Sequence, residues 1–259
     1  MALITEEDRF NPDTINSQVV GIAASIGRHD SGMHCHQKAQ LLYAPSGSMS
    51  ITLENQQCIL PPTRAAWIPA GVRHCAVMTN VVAYRSVYFD VSHLERHGDQ
   101  IKIMAVNPLL RELIERMAFW PWDMPYSEQK ALVELFWQEL KAAPDESLLL
   151  PIPSDKRLEA WLNKLDKEGH SPLPLNETAL SIGASEKTIS RIFSRETGMP
   201  YQAWRQQWRL MKAIELLSEN KPVSTVAFEL NFSSDSAFVS FFRKQTGSTP
   251  SAYIKRPNQ

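Results

Sequence analysis

Much is scarce in this chain, and each scarcity narrows what it can be. It has three cysteines, Cys35, Cys58 and Cys75, with no Cys-x-x-Cys spacing. An odd count without metal or redox spacing gives no disulfide framework and fits a reducing compartment. No apolar run reaches the roughly 18–20 residues that a membrane-spanning helix needs. The first residues, MALITEEDRF, carry acids where a secretory signal would be basic, and no apolar stretch follows. Net charge is nearly absent too, at −1 over 259 residues. A cytoplasmic protein with no membrane partner is expected, and the total charge says nothing about nucleic acid.

What is present is unevenly distributed. The length favours two domains, and 43% hydrophobic residues suffice for a real core. From Ser154 onward there are 15 lysines and arginines against 11 acids, a net +4, while the rest of the chain is −5. The C-terminal part is therefore the better candidate to meet an anionic partner.

From about Val19 to Val91 the apolar residues come in short bursts separated by Gly and Pro. Segments such as GSMSITLENQQCIL and VAYRSVYFDV alternate or are rich in β-branched and aromatic residues. Many short strands, hence a barrel or sandwich, are predicted. Near Asn107 the period changes. NPLLRELIERMAFW and SEQKALVELFWQELKAA place Leu109, Leu110, Leu113, Ile114 and Met117, then Leu132, Leu135, Phe136, Trp137 and Leu140, at helical spacing. PDESLLLPIPSD, with three prolines, reads as a linker. The fold class is α+β multidomain: a β domain over residues 1–105, connecting helices and linker over 106–153, and an all-α domain over 154–259.

The α domain writes one unit twice. Ser185, Ile189, Ile192, Phe193, Thr197 and Gly198 recur 49 residues later as Ser234, Phe238, Phe241, Phe242, Thr246 and Gly247. Each copy reads as helix, tight turn, helix, over about 173–197 and 223–246. In the first, Leu175, Ala179 and Ile182 face inward, Gly183 takes the turn, Ser185 caps the second helix, and Ile189, Ile192 and Phe193 form its buried stripe. In the second, Val223, Ala227 and Leu230 repeat the inward face, and Asn231 stands where the first has glycine, the next most tolerant choice for a left-handed residue. Between them YQAWRQQWRLMKAIELLSE is a helix of roughly 25–30 Å. That length holds the two units about one DNA turn, roughly 34 Å, apart.

These units, with ISRIFSRETGMPYQAWRQQWRLMKAIELL joining them and FVSFFRKQTGSTPSAY at the end, resemble the arabinose-regulator (AraC/XylS) transcription factors over Leu158 to Ile254. The resemblance implies double-stranded promoter DNA as partner, with each second helix in a successive major groove. The exposed positions would be Lys187, Thr188, Ser190, Arg191 and Arg195 in the first unit, and Asp235, Ser236, Val239, Ser240 and Arg243 in the second. Arg191 suits bidentate contact to guanine. Arg205, Arg209 and Lys244 suit phosphate. Arg195 and Lys244 read equally well as solvated charges. The second helix of unit two is poor in basic residues, so the first unit is expected to carry more sequence discrimination.

The β domain holds a second constellation: Gly32-Met33-His34-Cys35-His36-Gln37-Lys38-Ala39-Gln40, then Pro69-Ala70-Gly71-Val72-Arg73-His74. On a strand, His34 and His36 share a face, and Gln40 has the same parity. Three imidazoles and an amide oxygen are a donor set for a divalent metal. The pattern resembles the cupin fold, with Gln40 where metal-binding cupins carry glutamate. These side chains either hold a metal through His34, His36, Gln40 and His74, or line an effector pocket with Tyr43 and Trp67. Cys35, of opposite parity, reads as buried packing.

Together the resemblances imply a transcriptional regulator, not an enzyme, that answers a small-molecule effector. They also imply control of a neighbouring transporter or catabolic gene, and contact with RNA polymerase if it activates. The helices at Asn107–Ala143 either pack on the β domain or form a homodimer contact. Two other functions compete: a metal-dependent cupin enzyme fused to a helical module, and a constitutive DNA-binding regulator with a degenerate sensor.

Overall fold

The computed structural model describes residues 10–62, 64–78, 82–93, 100–146, 148–165 and 170–254. They form two compact units, one drawn from the described residues within 10–53 and 60–146 together with Ile254, the other from those within 54–59 and 148–253.

The first unit is built on antiparallel strands, with one sheet in the order β1 (Val19–Ile26), β8 (Val82–Phe89), β3 (Ala39–Ser46), β6 (Arg64–Ile68) and β9 (Lys102–Ala105). A second set pairs β4 (Met49–Leu53) with β7 (His74–Met78), and β7 with β2 (His29–Asp30). Period-two alternation decides what each face of the first sheet does. In the pairing of β3 with β8, Gln40 stands opposite Tyr88 and Leu42 opposite Ser86, while Leu41 and Tyr43 stand opposite Val87 and Arg85. The even-numbered side chains turn toward a cavity between the strand layers, and the odd-numbered ones turn outward.

The outward face is covered by α1 (Pro108–Ala118) and α2 (Tyr126–Ala142). Asn107 caps α1, its side chain accepting from the Leu110 amide at 2.8 Å, and Pro108 sits at the first turn, where no amide is needed. Leu110, Leu113, Ile114 and Met117 of α1 and Val133, Phe136 and Leu140 of α2 are buried against Val19, Leu41, Tyr43, Trp67, Val87 and Phe89. Phe89 stacks on Phe136 at 5.1 Å and meets Trp137 at 4.8 Å. Gly21 makes this docking possible, because a Cβ there would lie 1.9 Å from the Met117 carbonyl oxygen.

The apolar stripe of α2 is thus used inside the unit. Leu132 and Leu135 are partly buried against the same core.

In the second unit the stretch read as a linker contains a short strand, β10 (Leu149–Pro151), antiparallel to Gln56–Cys58 of β5 (Gln56–Leu60). The prolines did not prevent this. Pro151 ends β10, and its carbonyl accepts from the Trp204 indole at 2.7 Å. The helices α3 (Lys156–Leu165), α4 (Leu175–Ile182), α5 (Glu186–Glu196), α6 (Tyr201–Ser218), α7 (Val223–Glu229), α8 (Asp235–Thr246) and α9 (Pro250–Ile254) follow.

The duplication seen in the residues is repeated atom by atom. Gly183 is left-handed at φ 72° and Asn231 at φ 55°. Ser185 caps α5 through the Thr188 amide and Ser234 caps α8 through the Ala237 amide, both at 3.2 Å. Thr197 and Thr246 each donate back to the carbonyl four residues earlier, Phe193 and Phe242, and each accepts the amide two residues on, Met199 and Ser248. Phe193, Phe238 and Phe242 are fully buried. Trp204, Trp208, Met211, Ile214 and Leu217 line the buried side of α6, as the spacing predicts.

Candidate nucleic-acid interface and sensor cavity

The two helix-turn-helix units, α4–α5 and α7–α8, present different outward faces. On α5, Lys187, Arg191 and Arg195 are exposed and Thr188 and Ser190 are half-buried. Lys187 and Arg191 have no ion pair or hydrogen bond among the described residues, so their charge is free for another molecule. On α8, Asp235, Ser236, Ser240 and Arg243 are exposed and Val239 is half-buried.

Three arginines grouped with these by sequence are committed elsewhere. Arg195 pairs with Glu196 at 2.5 Å and approaches Asp155 at 4.0 Å. Glu196 in turn accepts from the amides of Ser154 and Asp155 at the start of α3, and Arg195 holds its carboxyl below the usual range. Arg205 donates to the Pro172 carbonyl at 2.6 Å.

Arg209, expected at phosphate, is instead turned inward. Its Nη2 donates to the carbonyls of Leu230 and Asn231 at 2.7 and 3.3 Å, satisfying acceptors at the end of α7. The guanidinium also lies over Phe232 at 3.7 Å and Phe241 at 5.7 Å. Burial first, then the charge of Arg205, brings its pKa down to about 10. It braces the second turn. Helical spacing could not show this, because its partners come from a different helix.

A pair of side chains that the sequence reading passed over also repeats. Leu180 of α4 and Phe228 of α7, both bulky and apolar, are 81% and 82% exposed at equivalent places in the two units.

In the first unit a cavity of about 500 Å³ opens between the strand layers. His34, His36, Gln40 and His74 all line it, with Tyr84 and Tyr88 from β8. His34 and His74 face each other in an isolated bridge, each amide donating to the other's carbonyl at 2.9 Å. The ring centroids of His34 and His74 are 4.5 Å apart, and those of His36 and His74 are 5.0 Å apart. The three imidazoles offer ligand atoms that all lie within 4.8 Å of one another.

Each ring is held by a carbonyl two residues away: His34 Nδ1 by Gly32 at 2.9 Å, His36 Nδ1 by Lys38 at 2.5 Å, and His74 Nδ1 by Val72 at 2.9 Å. Burial lowers the pKa of His36, and brings that of His74 down to about 4. Both rings are therefore neutral at neutral pH, the form that ligates metals. Gln40 Oε1 lies 3.1 Å from His36 Nε2, and its amide nitrogen reaches Tyr84, Ser86 and Tyr88 at 3.3, 2.9 and 2.8 Å. The residues fit a divalent metal in donor type and convergence.

Two residues expected in this cavity are not there. Tyr43 and Trp67 lie on the other face of the sheet, in the core beneath α1 and α2, where Trp67 meets Trp137 at 5.4 Å. Tyr84, Ser86 and Tyr88 take the polar role instead, and their alternation in VAYRSVYF was the available signal. Cys35 is exposed rather than buried. Cys75, on the side of β7 away from the histidines, donates its thiol to Asp30 at 3.0 Å, and burial pushes its pKa up to about 11.

Comparison with known proteins gives this arrangement a lineage. A family model described as an AraC-like ligand binding domain matches residues 16–150, and one described as a helix-turn-helix domain matches residues 178–256. The transcriptional regulator NimR of Escherichia coli K12 is 29% identical over 250 residues, covering 95% of this chain and 91% of that protein. The arabinose operon regulatory protein of Salmonella typhimurium is 30% identical over 131 residues, 49% of this chain and 46% of that one. Among solved structures, ToxT of Vibrio cholerae matches with a TM-score of 0.38 and 9% identity, covering 93% of this chain and 97% of its own. The DNA-binding domain of AdpA, solved with a target DNA, matches with a TM-score of 0.35 and 28% identity, covering 41% of this chain and all of its own. No helix among the described residues is long and apolar enough to cross a membrane. The family match spans more than half of the chain, and the chain belongs to the AraC family of transcriptional regulators, with an AraC-like ligand-binding domain ahead of an AraC-type helix-turn-helix domain.

Proposed function

We propose that this regulator reads base sequence chiefly through α5, positions itself on DNA with α8, and is switched by a small molecule in the histidine-lined cavity. The observation that carries the first part is the contrast among basic side chains. Lys187 and Arg191 are exposed on α5 without a partner among the described residues, whereas Arg195, Arg205 and Arg209 are engaged within the unit. An arginine with a free planar fork, on a helix of major-groove dimensions, suits bidentate contact to guanine O6 and N7. On α8, Asp235 repels phosphate and Ser236 and Ser240 suit short polar contacts, so this face positions more than it discriminates.

The cavity supports sensing rather than turnover. It is large enough for a small molecule, and its polar groups hold one another in a fixed network. Binding there would shift the balance between DNA-competent and DNA-incompetent arrangements.

The test is selection of bound sequences from randomised DNA, with full-length protein and the Arg191→Ala variant at matched salt. The variant should lose preference at one base position and weaken binding there by about 1–3 kcal/mol. An unchanged sequence logo would remove α5 from base reading.

A further inference from the structure

We infer that the cavity of the first unit takes a small organic cation: an apolar body that ends in a protonated, N–H-donating nitrogen. The inference rests on the sensor reading of this cavity and names the chemistry of its ligand.

Charge comes first. Among the described residues that line the cavity, Asp13 and Asp30 are carboxylates and none is a lysine or arginine. Asp13 accepts from the Gln37 and Lys38 amides at 2.8 and 3.2 Å. Asp30 accepts from the Cys75 thiol at 3.0 Å and the Gly32 amide at 2.9 Å, and these, the thiol foremost, hold its carboxyl below the usual range. All four donors are neutral, so they orient the two negative charges without cancelling them. Lys38, whose amide meets Asp13, sends its ammonium to the Ile15 carbonyl at 3.0 Å. Both aspartates are exposed, whereas His36, Gln40 and His74 are buried. The negative charge therefore sits on the solvent side of the cavity, where it repels an anion and draws in a cation.

The buried wall asks for the same chemistry through hydrogen bonds. A backbone carbonyl can only accept, so His34 Nδ1 against Gly32 and His74 Nδ1 against Val72 carry the proton. Their Nε2 atoms are then lone pairs. His74 Nε2 is buried and without a partner among the described residues, and the residue itself is 1% exposed. A buried acceptor left unmatched is costly, and whatever matches it must donate. The other polar groups of the wall are spent on one another, because the amide of Gln40 meets His36, Tyr84, Ser86 and Tyr88. A ligand ending in carboxylate, phosphate or carbonyl would aim acceptors at an acceptor.

The remaining lining describes the body of the ligand. Ile22, Leu42 and Met78 give apolar wall, and Phe10 and Tyr88 bring aromatic rings 5.6 Å apart. Aromatic faces attract cations. A volume of about 500 Å³ suits an organic molecule rather than a bare ion.

The experiment is calorimetric titration of full-length protein in excess chelator, so that no metal stands in for the ligand. Matched compounds are used on benzyl, phenylethyl and naphthylmethyl bodies, each as the ammonium, the alcohol and the carboxylate. On at least one body the ammonium should bind about tenfold or more tightly than the alcohol, and the carboxylate not at all. Asp30→Asn should weaken the ammonium about fivefold. The double substitution Asp13→Asn, Asp30→Asn should erase its lead over the alcohol with an unchanged far-ultraviolet spectrum, since asparagine still accepts from the neighbouring amides. A carboxylate or alcohol that outbinds its ammonium, or ammonium binding on none of the bodies, would overturn the inference. So would a lead that survives the double substitution. Affinity for the selected DNA, measured on the same samples, tests the sensor reading separately. An ammonium that binds without moving DNA affinity supports the cation site and removes the switch. An alcohol or carboxylate that moves it keeps the switch and removes the cation.

Discussion

The guanidinium of Arg209 lies 3.7 Å from the centre of the Phe232 ring while its Nη2 holds the Leu230 carbonyl at 2.7 Å. One side chain thus closes the last turn of α7 and covers the aromatic cluster behind it. Arg209→Lys keeps the charge but loses the planar fork and the stacking. It should lower the unfolding free energy by about 1–3 kcal/mol, with the salt dependence of DNA binding unchanged. Chemical denaturation and a salt titration of DNA affinity check both halves. A shallower salt slope with normal stability would return Arg209 to the phosphate backbone.

Arg195 and Arg191 are one helical turn apart and should behave oppositely. Arg195→Ala should leave base preference intact, because its charge is spent on Glu196. Glu196→Ala should cost about 1 kcal/mol, as loss of a helix cap does, since it frees the amides of Ser154 and Asp155 at the start of α3. Thermal melts of the two variants beside their sequence logos separate the roles.

Gly21→Ala places a methyl group 1.9 Å from the Met117 carbonyl oxygen and 2.9 Å from two backbone atoms of Ala118. Neither obstacle is the tip of a flexible side chain, so α1 must lift from β1. A loss of 3 kcal/mol or more is expected, about the upper range for overpacking. Urea unfolding of the full chain measures it.

Buried neutral histidines make metal-free protein sensitive to acid. His74 titrates at about 4 when folded, because burial penalises its charged form, and near 6.5 when unfolded. Between those values the unfolded chain binds the additional proton, so stability is complete above pH 6.5 and drains away as the pH falls toward 4. His36 adds in the same direction. Chelator-treated protein should lose on the order of 2–3 kcal/mol across that window, and His74→Gln should flatten the profile. A stability curve that rises on acidification would contradict the burial of the neutral rings.

How much of this could be read from residues alone depended on whether the physics was local. The helix-turn-helix units were legible because each signal acts within a few residues: a serine cap, a left-handed Gly183 or Asn231, apolar side chains at helical spacing. His34, His36, Gln40 and His74 were legible as a cluster because their parity and the Pro-x-Gly-x-x-His turn are local too. Tyr43 was misplaced although its odd distance from Gln40 already put it on the opposite face. Trp67 and Arg209 were misplaced because what decides each, the cover of α2 and the end of α7, lies far away in sequence. β10 escaped notice because a three-residue strand flanked by prolines has no periodicity to read.

The continuity of α6 has a consequence for the DNA rather than for the protein. Eighteen residues in one unbroken helix act as a ruler of about 27 Å. Adding a single base pair between the two recognised segments moves the second one about 3.4 Å along the axis and about 34° around it. A hydrogen-bonded helix cannot stretch or twist to follow. On the proposed reading, the spacing between the two contacted segments is therefore written into the polypeptide, while base identity is left chiefly to the few side chains on α5, so promoters can drift in letters but not in length.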